Sequence, residues 1–221
     1  MAGFVTLNGN DVVEAAVNLP RQGCWNASLV VDADTAPDVG SSATLVLGSL
    51  SLKGTVRKSG VFTDTVQIEM IGGAGGLSKL ATPKFYSGIP SGNVIRDILG
   101  GAGETLSASV DPSLLTTLFS NWTTIRQPAG SALSNVVKLL GDDLVWRPGS
   151  DGTIWIGTDT WQAARIEYDL LDKDDYLDRW LLGIEDPGAL QPGVTLDGRK
   201  VDYVEVTVTT SKVRARVWLI Q

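Results

Sequence analysis

The strongest constraint in this chain is that two hydrophobic periods occupy different stretches of it. Val204, Val206 and Val208 alternate with Tyr203, Glu205 and Thr207, while Val213, Ala215, Val217 and Leu219 alternate with Lys212, Arg214, Arg216 and Trp218. A period of two puts each set on one face of a strand, so Val201–Thr209 and Lys212–Leu219 should form a hairpin through Thr210-Ser211. Glu205 then faces the Lys212/Arg214/Arg216 side, each cross-strand pair supplying roughly a few tenths of a kcal/mol. Residues 1–80 read the same way. Phe4–Leu7, Asp11–Leu19, Cys24–Asp32, Ala43–Leu47, Leu50–Arg57 and Val61–Ile71 are strand candidates. Asn8–Asp11 and Lys58-Ser59-Gly60 are expected as turns, and Asp32–Ser42 as a polar loop.

Between these stretches the period changes to that of a helix. Pro90-Ser91 sets a capping serine before Val94, Ile95, Ile98 and Leu99, and Gly100-Gly101 stops the stripe. Pro112-Ser113 is expected to open a short helical turn through Leu114, Leu115, Leu118 and Phe119. Ser131–Leu140 places Leu133, Val136, Val137 and Leu140 on one face, with Gly141 as its stop. Leu144–Arg147 and Thr153–Ile156 flank the Pro148–Gly152 turn as a hairpin. Strands then resume at Arg165–Leu170 and Trp180–Ile184, with turns at Gln191-Pro192-Gly193 and Asp197-Gly198. The expected fold class is β-rich α+β: a barrel-like antiparallel β domain (1–83 and 162–221) interrupted by a small mixed α/β domain (84–161), because two terminal β segments satisfy their edges by pairing with each other.

Composition narrows the chemistry. The 221 residues contain no histidine, which removes Ser-His-Asp and Cys-His nucleophile systems, histidine metal sites and histidine pH switches. A net charge of −7 has the wrong sign for coating nucleic acid. The single cysteine, Cys24, forms no internal disulfide and reads as a small buried hydrophobe in its strand. No basic-then-apolar leader opens the sequence and no apolar run approaches about 18 residues, so synthesis in the cytoplasm and no membrane partner are expected. The sequons Asn26-Ala27-Ser28 and Asn121-Trp122-Thr123 are then chance matches.

Carboxylates are the remaining chemical candidates. Asp172, Asp174, Asp175 and Asp178 look at first like a calcium loop, but Tyr176 and Leu177 stand where an oxygen ligand and a glycine are needed. Asp32, Asp34 and Asp38 share a loop with Pro37 and no matching glycine, so both groups read as solvated turns. Glu167, Glu185 and Asp186 are possible members of a two-carboxylate glycosidase pair, though nothing singles out a pair. Gly72–Gly76 is not followed by the Gly-Lys-Ser/Thr of a phosphate loop, and Gly100–Gly103 ends a helix instead of starting one. Both glycine runs read as hinges or linkers. The tryptophans at 25, 122, 146, 155, 161, 180 and 218 read as core and subunit-contact packing before a ligand platform. No catalytic, cofactor or metal residue is assigned.

The run Gly92-Asn93-Val94-Ile95-Arg96-Asp97-Ile98-Leu99, the Gly130–Gly141 helix, Val145-Trp146-Arg147 and Asp151-Gly152-Thr153-Ile154-Trp155-Ile156-Gly157 together resemble the baseplate hub proteins of contractile-tailed, Mu-like bacteriophages, which are related to the hub region of type VI secretion spike proteins. Leu190–Val204, with Pro192-Gly193 and Gly198-Arg199-Lys200-Val201, is similar to the family's later strand progression. The match spans roughly 84–219. The resemblance implies a structural virion protein of the tail baseplate, not an enzyme: a homotrimer of two barrel-like domains per subunit, joining the sixfold tail tube protein to the threefold central spike protein. Tape measure and other baseplate proteins are further implied partners, with viral DNA passing an acidic wall unbound. The chain carries no lysozyme insertion or fused spike, so it would be a minimal hub. A tube-like or distal-tail protein, and a carboxylate-dependent cell-wall hydrolase, are the alternatives.

Overall fold

The computed structural model describes residues 5–210 and 212–220. Six strands come first: β1 (Val5–Leu7), β2 (Asn10–Pro20), β3 (Asn26–Val31), β4 (Ser42–Leu47), β5 (Leu50–Phe62) and β6 (Thr65–Gly72). Their hydrogen-bonded order is β1-β4-β5-β6-β3-β2, and β1 also pairs with β2, which closes the sheet into a six-stranded barrel. Closure leaves the barrel without an exposed edge. Inward positions alternate as the sequence implies: Val17, Leu29, Leu45, Val56 and Val66 are buried.

The expected turn at Lys58-Ser59-Gly60 is a correction. β5 runs through it to Phe62, and the chain reverses at Thr63, with φ of 56°, and Asp64. An extra residue at Arg57 shifts the register between Val56 and Lys58. The bulge turns Lys58 outward to pair with Glu69 at 3.0 Å, so a polar tripeptide sits comfortably on a solvated strand. Phe4 lies outside the described residues.

The middle of the chain contributes β7 (Lys84–Pro90), α1 (Ser91–Ala102), a 3-10 turn at Pro112–Leu115, β8 (Leu118–Thr124), α2 (Ala129–Leu140), β9 (Leu144–Pro148) and β10 (Ile154–Thr158). The β9–β10 hairpin and α2 lie where expected. Ser91 does not cap α1. Pro90 occupies that position, and Ser91, buried in the first turn, donates its hydroxyl to the Leu114 carbonyl at 2.6 Å. α1 continues through Gly100-Gly101 and stops at Gly103, whose φ of 83° supplies the left-handed terminator. Leu118 and Phe119 belong to β8, which pairs with β7 across an intervening helix. Leu77, Val94, Ile95, Leu99, Leu133 and Val137 are among the residues of one core, drawn from residues 77–156.

The last stretch holds β11 (Tyr168–Asp174), β12 (Arg179–Ile184), β13 (Thr195–Leu196), β14 (Arg199–Thr209) and β15 (Lys212–Ile220). β14 pairs with the C-terminal half of β2, on the side that β1 occupies at its other end, and the sheet runs on through β15 and β12 to β11. Glu205 and Arg216 are direct cross-strand partners at 2.9 Å, as the alternation implies. A second core joins residues 5–70 to residues 180–219. No helix among the described residues is long and apolar enough to cross a membrane.

Candidate functional site

The acidic groups singled out by sequence disperse in space. In the 172–178 run, Asp174 accepts from the backbone amides of Tyr176 and Leu177 and pairs with Arg179, Asp175 pairs with Lys173, and Asp178 pairs with Arg199. Asp172 accepts from the amide of Lys173. Asp32, Asp34 and Asp38 lie in the loop between β3 and β4. Among the described residues, no three or more cysteine or acidic side chains converge as a metal-binding group.

Glu167 and Glu185 do share a surface. With Asp169, Lys212 and Arg214 they line an open groove of about 580 Å³ beside β11, β12 and β15. Asp186 turns away from it. One carboxylate oxygen accepts from the amides of Ser49 at 3.0 Å and Gly188 at 2.9 Å, so it braces two turns. Burial alone would raise its pKa, but these hydrogen bonds outweigh burial and hold it below the usual carboxylate range.

Two buried carboxylates escaped the sequence reading. They are Glu104 and Asp159, exposed by 6% and 7%. Each stands where the chain passes between its two cores. Glu104 accepts from the amides of Ala74 and Gly76, both at 2.8 Å. From the barrel side, Thr55 donates to the Gly73 carbonyl and Arg57 to the Gly75 carbonyl, both at 2.9 Å. The glycine run is therefore held by alternate backbone groups: carbonyls by the barrel, amides by Glu104. A side chain at Gly76 would collide with the Ala102 carbonyl, and Gly73 and Gly75 have φ of 77° and 75°. Gly72–Gly76, expected as a hinge or linker, is thus a turn braced from both sides.

Asp159 follows β10. Arg21 Nε, at the end of β2, meets its Oδ2 at 2.7 Å, and Arg147 Nη2, on β9, meets its Oδ1 at 2.8 Å. Arg147 also donates to the Arg21 carbonyl at 3.2 Å. Both guanidiniums lie over indoles, Arg21 5.0 Å from the Trp161 ring and Arg147 4.7 Å from that of Trp155. Trp161 itself has φ of 52°, a strained conformation for a bulky residue. Trp25, Trp146 and Trp180 are buried in the two cores.

Cys24 precedes β3 instead of lying within it. Half-buried, it packs against the middle core. Burial, helped by the nearby Glu104 charge, pushes its thiol up to about 12, which leaves it unreactive.

The far edge of the sheet is an exposed surface. β11 ends the sheet, and Leu170 and Leu171 on it and Tyr176 and Leu177 in the following turn are exposed. Such an edge offers backbone groups together with apolar side chains.

The architecture as a whole is one that phage tail proteins and a type VI secretion component also adopt. The chain matches the tail protein of prophage MuSo2 from Shewanella oneidensis with a TM-score of 0.68 at 9% identity, over 98% of this chain and 96% of that one. It matches the Escherichia coli c3393 protein, a type VI secretion component structurally similar to the T4 tail proteins gp27 and gp5, with a TM-score of 0.63 at 9% identity, over 98% and 77%. A tail protein from Neisseria meningitidis MC58 matches with a TM-score of 0.61 at 12% identity, over 98% and 96%. No family model and no curated protein matches the sequence. At these identities what is shared is the fold.

Proposed function

We propose that this chain is a structural tail protein: the baseplate hub of a contractile-tailed phage, a homotrimer that joins a sixfold tail tube to a threefold central spike and forms part of the DNA conduit. The observation that carries this reading is the fold shared, over nearly the whole chain, with the Shewanella and Neisseria tail proteins and with the type VI component. In this reading residues 84–161 are an inserted α/β domain, supported by the two separate cores. The β-rich remainder then supplies two β bodies per subunit, the closed barrel and the open sheet from β14 to β11. Three copies give six such bodies, which matches a sixfold tube to a threefold spike. The exposed β11 edge supports contact between subunits. The −7 charge suits a wall past which DNA slides without adhering. The tape measure and other baseplate proteins are further proposed partners, and the virion baseplate the proposed location.

Measurement of mass in solution tests this reading: a trimer near three times 23.4 kDa, about 70 kDa, supports it, and a stable monomer at high concentration contradicts it. The hydrolase reading has one favouring observation, the shared groove of Glu167 and Glu185. It requires cell-wall cleavage that Glu167→Gln or Glu185→Gln abolishes.

A further inference from the structure

The two places where the chain crosses between its cores, residues 72–77 and 157–163, have a common design. At the first, Glu104 from the middle segment takes the amides of Ala74 and Gly76, while Thr55 and Arg57 from β5 take the carbonyls of Gly73 and Gly75. At the second, Asp159 bridges Arg21 of the barrel side and Arg147 of the middle segment. Asp202, the extra residue in β14, lies 3.8 Å from Arg21, and its carbonyl accepts the Arg21 amide. Close packing guards both carboxylates: a Cβ at Gly73 would press on Glu104, and one at Gly193 would strike Asp159.

We infer that Glu104 and Asp159 form a pair of latches, one at each chain crossing, which lock the middle segment onto the β sheet so that the molecule moves as one body. These are the two buried carboxylates among the described residues, and a buried charge persists only where it is paired or fully hydrogen-bonded. Neither is spent on stabilising its own element. Each instead ties together groups distant in sequence, 28 and 30 residues apart at Glu104 and 138 apart between Arg21 and Asp159. A connector held from both sides at each crossing leaves no free pivot, since rotation about one crossing would strain the other. The two bridging backbone bonds nearby, Gly23 to the Trp146 carbonyl at 2.8 Å and Lys53 to the Ser150 carbonyl at 3.1 Å, act in the same direction. The inference rests on these contacts alone and holds whether or not the chain assembles in a tail.

Hydrogen exchange and pulsed electron resonance on the full chain test it. Ala74 and Gly76 use different oxygens of Glu104. Glu104→Gln keeps the shape but leaves only one acceptor, so exchange at whichever amide faces the new NH2 should rise by roughly tenfold to a hundredfold, the range for a lost bond to a charged acceptor. Amides of Leu133 and Val136 in α2 should keep their protection, which separates release of the latch from general unfolding. Spin labels at Lys138→Cys on α2 and Thr207→Cys on β14, in a Cys24→Ser background and diluted with unlabelled protein, report the relation of the two cores. The parent should give one narrow distance distribution, each of Glu104→Gln and Asp159→Asn a broader one, and the double variant the broadest. Unchanged exchange at both Ala74 and Gly76 in Glu104→Gln, or a distribution as narrow as the parent's in Asp159→Asn, overturns the inference. Should the double variant not fold, those two single-variant readouts decide.

Discussion

Leu133→Ala gives the sharpest test of the two-core architecture. Leu133 sits on α2, fully buried in the core built from residues 77–156. The substitution deletes three carbons, about 2.4 kcal/mol at about 0.8 kcal/mol per buried methylene. A residual void on the order of 50 Å³ adds about 1.2 kcal/mol at about 24 cal/mol per Å³, for a loss of roughly 3.5 kcal/mol. Native-state hydrogen exchange resolves where that loss falls. Amides of α1 and α2 should lose protection by nearly the full amount, because opening the middle core exposes them directly. Amides of β3, β6 and β15 belong to the other core and should lose less. Equal losses in both sets would refute the separation of cores, and a loss below about 1 kcal/mol everywhere would refute the tight packing around Leu133.

Three further outcomes follow from local geometry. Gly76→Ala should lower stability by more than about 2 kcal/mol in denaturant titration, since the new methyl meets the backbone Ala102 carbonyl; a loss below 0.5 kcal/mol, roughly the surface-substitution range, would contradict that contact. Cys24 should react with a maleimide at pH 8 roughly a thousandfold more slowly than a free thiol, its pKa standing at about 12 against 9.0, and at the ordinary rate once the chain is unfolded; prompt labelling of the folded chain counts against the burial. Asp186 is held below its usual pKa when folded, so its stabilisation is complete above the unfolded value of about 3.9 and fades as pH falls through the lower folded value. Asp186→Asn should therefore weaken the neutral-pH protein and reduce the stability lost between pH 5 and pH 2, read as denaturant midpoints; an unchanged acid dependence contradicts this.

The elements legible in the sequence were those whose burial repeats. Val204, Val206 and Val208 alternate because β14 has one buried and one wetter face, and Leu133, Val136 and Val137 recur at helical spacing because α2 buries one stripe. Turn composition misled where a bulge intervened: Lys58-Ser59-Gly60 has turn-like residues, yet the register shift at Arg57 lets them lie on a strand. The β7–β8 pair was illegible because its strands are separated by α1 and mix their faces, and Leu118 and Phe119 follow a helical turn closely enough to read as its continuation. Glu104 and Asp159 looked like any other acids in a chain with 25 of them. Their meaning lies in partners far away along the chain, such as Arg21 for Asp159, and no local pattern encodes that distance. The one available signal was glycine: Gly73, Gly75 and Gly76 beside one crossing and Gly193 beside the other mark close backbone approach.

Electron microscopy of the purified protein tests the proposed hub most directly. Rings with threefold symmetry, six β bodies around the circumference and an open passage along the axis are the expected result. Isolated monomers under concentrated conditions, or closed assemblies with no axial passage, would contradict it.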